Sequence, residues 1–171
     1  LQGLEIDTDL RWELLEGLVL AGAAGSTEID AELAADKTAA GEQAAARARA
    51  TIPTAEGKLA AFSSLVDSSE LPNAIVRQTT VGFQHVNSPV LLEGLVPKYF
   101  EVLTRIWAER SYHMADTIVS GLYPAPLASA ELRDAAAAWL AEHPETPALR
   151  RIVSESLAGT ERALRVQAAD A

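Results

Sequence analysis

The stretch from Pro97 to Pro124, PKYFEVLTRIWAERSYHMADTIVSGLYP, constrains this chain more than any other. Tyr99, Leu103, Ile106 and Trp107 recur at helical spacing, with Phe100 and Val102 thickening the stripe. After a polar break around Glu109 to Ser111, Met114, Ile118 and Leu122 recur in the same way. Apolar residues at i, i+3, i+4 and i+7 mark amphipathic helices that each bury one face. Two such helices joined by a short polar turn form an antiparallel hairpin. A hairpin with two apolar faces needs further helices to cover it, so the expectation is a packed helical domain.

The rest of the chain supplies them. Asp7 and Thr8 suit an N-cap before Asp9 to Leu15, and Leu10, Leu14, Leu15, Leu18 and Val19 extend that helix to about Ala23. Its polar side (Asp9, Glu13, Glu16) is narrow, so most of it is expected to be buried. Gly22 and Gly25 stop it. Ser26-Thr27-Glu28 opens a second helix with Ile29 and Leu33 inward, and Gly41 to Ala50 reads as a third, ended by Pro53. Thr54 caps a fourth, Thr54 to Asp67, whose buried stripe is Leu59, Phe62, Leu65 and Val66. Leu71-Pro72 opens a fifth with Ile75, Thr79 and Phe83 on one face. A weaker segment, Val90 to Val96, precedes the central hairpin. Ser129 caps a helix through Leu132, Ala136, Trp139 and Leu140. The last helix carries Leu149, Ile152, Val153, Leu157 and Leu164, with fraying expected from Val166. No segment alternates with the period of a strand, and no Asn-Gly hairpin turn occurs. The fold class is therefore all-α, an irregular α-solenoid of about eight to ten antiparallel-paired helices.

Bulk properties narrow the function. The 171 residues suffice for one domain with a real core, since chains of this size bury roughly 70% of their unfolded surface. A net charge of −10 argues against a phosphate-backbone partner, so no nucleic acid is expected. The longest apolar run, Leu18 to Gly25, is far short of a membrane span, and no basic-then-apolar start marks a signal peptide. The expected setting is cytoplasmic, without membrane contact. The chain has no cysteine, which excludes disulfide and thiolate chemistry. Eleven arginines against three lysines, with alanine the commonest residue, suit a high-GC bacterial source.

Constellations that could carry chemistry are few. Glu109, His113 and Asp116 stand at i, i+4 and i+7, a spacing at which a carboxylate-His-carboxylate set could hold a divalent cation. The alternative for these three is a solvated polar face. His85 reads as a turn residue and His143 as a helix C-terminus. No Gly-x-Ser-x-Gly elbow, phosphate loop, dinucleotide fingerprint or His-Glu-x-x-His is present. Lys37, Lys58 and Lys98 read as scattered surface charges. Arg11 lies on the face of Leu15 and Leu18; it either pairs with a carboxylate of a neighbouring helix or contacts a ligand carboxylate. Asp36-Lys37 followed by Gly41 reads as a buried turn anchor.

A family resemblance joins these fragments. Asp7-x-Asp9-Leu10-Arg11-Trp12, Gly22, Asp36-x-Thr38-x-x-Gly41, and the Ala-rich helix to Pro53 resemble the C-terminal helical domain of aminopeptidase N. Lys58, Glu70-Leu71-Pro72-Asn73, Tyr99-Phe100 to Trp107-x-x-Arg110-Ser111, and Leu122-Tyr123-Pro124 fit the same pattern, closest to actinobacterial members. Order and spacing match over nearly the whole chain.

The resemblance implies a gluzincin zinc metallopeptidase that removes N-terminal residues from peptides. Its zinc ligands (His-Glu-x-x-His and a downstream Glu) and its Gly-x-Met-Glu-Asn amine site belong to a central thermolysin-like domain. Neither motif occurs here, so no catalytic, cofactor-binding or metal residue carries over to this chain. It implies a HEAT-like bowl that caps the active site and restricts access to peptides, with residues 1–171 as one domain in the C-terminal part of a larger aminopeptidase. In family members that domain is longer, so its N-terminal part is expected to lie outside this chain. The implied partners are the catalytic domain of the same polypeptide and peptide substrates. Two alternatives stand beside it: a free-standing α-solenoid that binds a protein on its concave face, and a small metal-dependent enzyme built on Glu109, His113 and Asp116.

Overall fold

The computed structural model describes residues 6–170. Among them are nine α-helices, two 3-10 segments and no strand. The helices are α1 (Thr8–Leu20), α2 (Ser26–Ala35), α3 (Ala39–Thr51), α4 (Ala55–Asp67) and α5 (Asn73–Gln84). They continue with α6 (Val96–Glu109), α7 (Tyr112–Leu122), α8 (Ala130–Glu142) and α9 (Pro147–Ala169). The 3-10 segments are Pro89–Leu95 and Ala125–Leu127. No described helix is long and apolar enough to cross a membrane.

Local chemistry explains the boundaries. Asp7, Thr38, Thr54, Ser111 and Ser129 each accept a hydrogen bond from a backbone N–H three residues on, as N-caps do. Thr38 starts α3 ahead of the Gly41 that the residue pattern suggests. Glu28 reaches back to the Gly25 N–H at 2.8 Å, closing the start of α2. The helix expected to fray from Val166 instead runs on to Ala169.

The odd-numbered helices stand side by side: α1 on α3, α3 on α5, α5 on α7, α7 on α9. Helix α2 packs on α1 and α3, α4 on α3 and α5, α6 on α7 and α8, and α8 on α9, giving the irregular solenoid of paired helices that the residue pattern implies. The central hairpin is real. Tyr99, near the start of α6, donates its hydroxyl to the Val119 carbonyl near the end of α7 at 3.0 Å, so the two helices run antiparallel. Burial raises the Tyr99 phenol well above its usual pKa. The main core gathers Phe62, Leu65, Phe83, Leu103, Ile106, Ile118, Leu122, Leu132 and Trp139. A smaller core of Trp12, Val19, Ile29, Ala45 and Ala48 ties α1 and α2 to α3.

Two expectations of burial fail. On α1 only Trp12, Glu16 and Val19 are buried, while Leu14 and Leu18 are each 51% exposed. On α4 Leu59 is 39% exposed, and Lys58, one residue earlier, takes the inward position with Phe62 and Leu65. On α1 the face with the most leucines is turned away from the core, whereas on α4 Leu65 stays inward and only Leu59 is displaced by Lys58.

The α3–α5 contact is the closest in the row. A methyl at Gly82 would run into the Arg47 carbonyl and touch the Ala50 Cβ at 3.0 Å. Overpacking of this kind costs about 1–3 kcal/mol. Gly82→Ala is expected to lower the unfolding free energy by about 2–3 kcal/mol in urea titration. Gly94→Ala, which meets open space, is expected to stay within about 0.5 kcal/mol of the parent.

Candidate functional site

The richest polar cluster lies where the ends of α3 and α5 meet α1 and α4. Lys58 is 0% exposed, and its Nζ donates to four backbone carbonyls. These are Ala50 at 2.7 Å, Gly82 at 3.0 Å, Phe83 at 3.1 Å and His85 at 2.7 Å. Three N–H bonds serve four acceptors, so at least one is shared. The Phe83 ring lies 5.9 Å from the same nitrogen. Helix ends leave their last carbonyls without intrahelical partners and carry a partial negative charge. Two such ends converge here, and the ammonium satisfies both. Burial nevertheless lowers the Lys58 pKa to about 8, which still leaves it mostly charged at neutral pH.

Beside it sits a carboxylate. Glu16 of α1, nearly buried, pairs with Arg47 of α3 and accepts from His85 Nδ1 at 2.8 Å. A carboxylate only accepts, so His85 Nδ1 carries the proton in this contact. The Thr51 hydroxyl donates to the Arg47 carbonyl at 3.0 Å and lies 3.5 Å from Glu16. Asn87 completes the corner by donating to the Leu20 carbonyl at 3.0 Å. His85 is thus in a turn, as its position suggests, but it also links α1 to the end of α5.

A second anchor holds α1 to the α2–α3 turn. Asp36 accepts from Trp12 Nε1 at 2.9 Å and from the Thr38 hydroxyl at 2.7 Å. Those two bonds, Thr38's first, hold its carboxyl below the usual carboxylate range. A Cβ on Gly41 would stand 2.6 Å from the Asp36 carboxylate, so this approach requires glycine. Asp36 and Gly41 therefore form the expected turn anchor, without Lys37, which is exposed.

The other candidates fall apart in space or into simple pairs. Arg110 ends α6 and Ser111 caps α7, so Glu109 and His113 stand on different helices, not on one face. Glu109 faces Arg105 at 3.7 Å, and His113 is exposed. Among the described residues no group of three or more His, Asp or Glu side chains is placed to hold a metal ion. Arg11 pairs with Glu32 of α2 at 2.9 Å, and it is exposed, not buried. His143 caps α8 and stacks on Trp139 with 4.5 Å between ring centres.

Reading Lys58 as a surface charge is therefore wrong. The signal was its register: it precedes Ala61, Phe62 and Leu65 at three, four and seven residues, the spacing of a core position. Glu16 likewise follows Trp12 by four and precedes Val19 by three. Chemically the cluster is closed. The Lys58 amine is enclosed by carbonyls and cannot reach a substrate. Two open cavities lie nearby. One of about 330 Å³ runs between α3, α4 and α5, lined by Ala46, Arg49, Ala50, Gly57, Ile75 and Thr79 among others. The other, about 240 Å³, is polar and opens beside Trp12, Glu13, Gln43 and Arg47. Neither has a histidine in its wall.

Comparison with known proteins gives two findings. A family model described as the ERAP1-like C-terminal domain matches residues 1–162. The chain is 48% identical over 171 residues to a protein named Aminopeptidase N from Streptomyces lividans, with all of this chain and 20% of that relative aligned. The chain spans about a fifth of the length of this curated relative.

Lys58→Met keeps the aliphatic stem and removes the donors, leaving buried carbonyls unpaired. At pH 7 it is expected to cost about 3 kcal/mol or more in urea denaturation. The pH dependence has a defined sign. With a folded pKa near 8 against an ordinary 10.5, the unfolded chain binds more protons between those values. The parent then gains stability from this group as pH rises through that window, and Lys58→Met does not. The gap between the two is expected to widen from pH 8 to pH 10.

Proposed function

The chain belongs to the ERAP1-like C-terminal domain family, the helical C-terminal domain of an aminopeptidase N, and from that premise we propose that it serves as a lid. Residues 1–171 form one helical domain of a longer cytoplasmic enzyme that removes N-terminal residues from peptides. This domain caps the active site, limits which peptides enter, and supplies no catalytic residue. Zinc, and the hydrolysis it supports, are assigned to the rest of the polypeptide, which would carry the His-Glu-x-x-His motif that this sequence lacks. The observation that carries the reading is the match of the whole chain, at 48% identity, to a fifth of a protein named Aminopeptidase N.

The physical role is exclusion and positioning. A helical wall over a reaction chamber shuts out bulk water and large substrates, and it holds a peptide in one orientation. Such a wall must resist deformation, and the interior of this chain is built for that. Lys58 and Glu16 lock four helices at one corner. The acidic surface offers no footing for nucleic acid. The catalytic part of the same polypeptide and its peptide substrates are the partners this role requires.

The test begins with the native gene. Its coding sequence upstream of the Leu1 codon is expected to encode His-Glu-x-x-His and a downstream glutamate in frame. The encoded protein is expected to release N-terminal residues from peptides and to stop when zinc is chelated. A stop codon and an independent start just before Leu1 would overturn the reading and leave a free-standing binding module.

A further inference from the structure

Where α3, α4 and α5 meet, the side chains are small. Gly57, Ala60, Ala61 and Ser64 follow at i, i+3, i+4 and i+7 along one face of α4, and Ala46 and Ala50 of α3 line the same space. Small residues at a helix contact let the axes close up. Here they surround a cleft of about 330 Å³ instead, with Ile75 and Thr79 of α5 as its third side. Ala50, Ala61 and Thr79 are buried and form its floor, whereas Ser26, Ala60 and Ser64 are exposed at its mouth.

One polar group in that floor has nothing to bond. The hydroxyls of Thr51, Thr80, Thr117 and Thr160 each donate to a carbonyl three or four residues back, at 2.8 to 3.3 Å. The Thr79 hydroxyl makes no such bond and has no hydrogen-bond partner among the described residues, although Thr79 is only 6% exposed. A buried hydroxyl left unpaired is costly, and a partner from outside the chain removes that cost. The charge at the cleft is already matched. Among the described residues that line it only Arg49 is charged, and Arg49 pairs with Asp30 at 2.6 Å. A carboxylate entering here would meet Asp30 together with Arg49, whereas a neutral molecule leaves that pair undisturbed.

We propose that this cleft is a binding site for a small neutral molecule with an apolar body of about ten heavy atoms and one hydroxyl or carbonyl group. A cavity of about 150 Å³ lined by aliphatic side chains takes one benzene ring. This cleft is about twice that size and opens to solvent at its mouth. The apolar body lies along the alanines of α3 and α4 and against Ile75. Its oxygen bonds the Thr79 hydroxyl, which can donate or accept. The inference stands on the geometry of the cleft and does not depend on the role of the domain as a lid.

The test uses an eight-carbon primary alcohol carrying an aliphatic diazirine, applied to the full-length protein expressed from its native gene. After irradiation, adducts are mapped by mass spectrometry. The expected result is saturable labelling of the α3, α4 and α5 residues of this wall, Ala46 and Ile75 among them. Ala46→Leu fills the cleft and is expected to abolish that labelling. Thr79→Val keeps the shape and removes the hydroxyl, so the alcohol is expected to bind it about three- to tenfold more weakly. The matching probe without a hydroxyl is expected to bind parent and Thr79→Val alike, and the matching carboxylate to label more weakly than the alcohol. Labelling that does not saturate, that falls only elsewhere, or that persists in Ala46→Leu overturns the proposal. Equal affinity of the alcohol for parent and Thr79→Val also overturns it, as does stronger labelling by the carboxylate. Circular dichroism checks the fold of both variants, and if Ala46→Leu does not fold, the comparison with Thr79→Val decides.

Discussion

One ammonium group holds this fold at its most crowded point. Lys58 enters from α4 and donates to carbonyls that end α3 and α5, with no carboxylate among the described residues within reach of its nitrogen. Isolated, a buried cation would be expelled or neutralised. Here its counter-charge is the set of unpaired carbonyls at two helix ends, which need donors as badly as the amine needs acceptors. Each side alone would be costly to bury. Together they make the C-terminal ends of α3 and α5 a shared edge. An arginine would reach the same carbonyls with a planar fork, but these acceptors surround a point, which suits the compact ammonium.

That arrangement depends on how closely α3 and α5 approach. Ala50 on one helix and Gly82 on the other leave almost no side-chain volume between backbones. Larger residues would move the α5 carbonyls out of reach of Nζ. The small side chain of Ala50 thus acts through distance, by letting one amine span two helices. Glu16 extends the same corner to α1, because Arg47 and His85 reach it from α3 and from the end of α5. The smaller core around Trp12 is fastened to the larger one through polar groups at this corner and through α3, which belongs to both.

What could be read from the residues and what could not follows from range. Caps at Asp7, Thr54 and Ser129, the stripes of α6 to α9, and the all-α class depend on neighbours within a few residues, and they were legible. The break between α6 and α7 was legible as a polar turn. Yet its consequence, that Glu109 and His113 do not share a face, is invisible to an i, i+4, i+7 spacing that runs across it. Lys58 has the residue type of a surface position and the register of a core one, and only the meeting of two helix ends decides between them. The same limit applies to α1. Leu14 and Leu18 satisfy every rule for burial, and nothing local says which of two apolar sides the rest of this chain covers. The Trp12–Asp36 bond joins residues 24 apart and has no local signal at all.

The distribution of chemistry over the molecule bears on its role. In an enzyme that works by itself, the perturbed and concentrated polar groups face a cavity that substrate can enter. Here the concentrated groups, Lys58, Glu16, Arg47 and His85, are spent on joining helices, and the amine among them is sealed by backbone. The open cavity between α3, α4 and α5 is walled largely by alanine, glycine and isoleucine side chains, with Arg49 engaged by Asp30 at 2.6 Å. Leu14 and Leu18 of α1 are half exposed at one end of the row, and at the other end α9 exposes Arg151, Glu155, Glu161 and Arg162 alongside Val166, which is 60% exposed. The polar groups concentrated at this corner thus bind helices to one another, and the amine among them is closed off by backbone carbonyls.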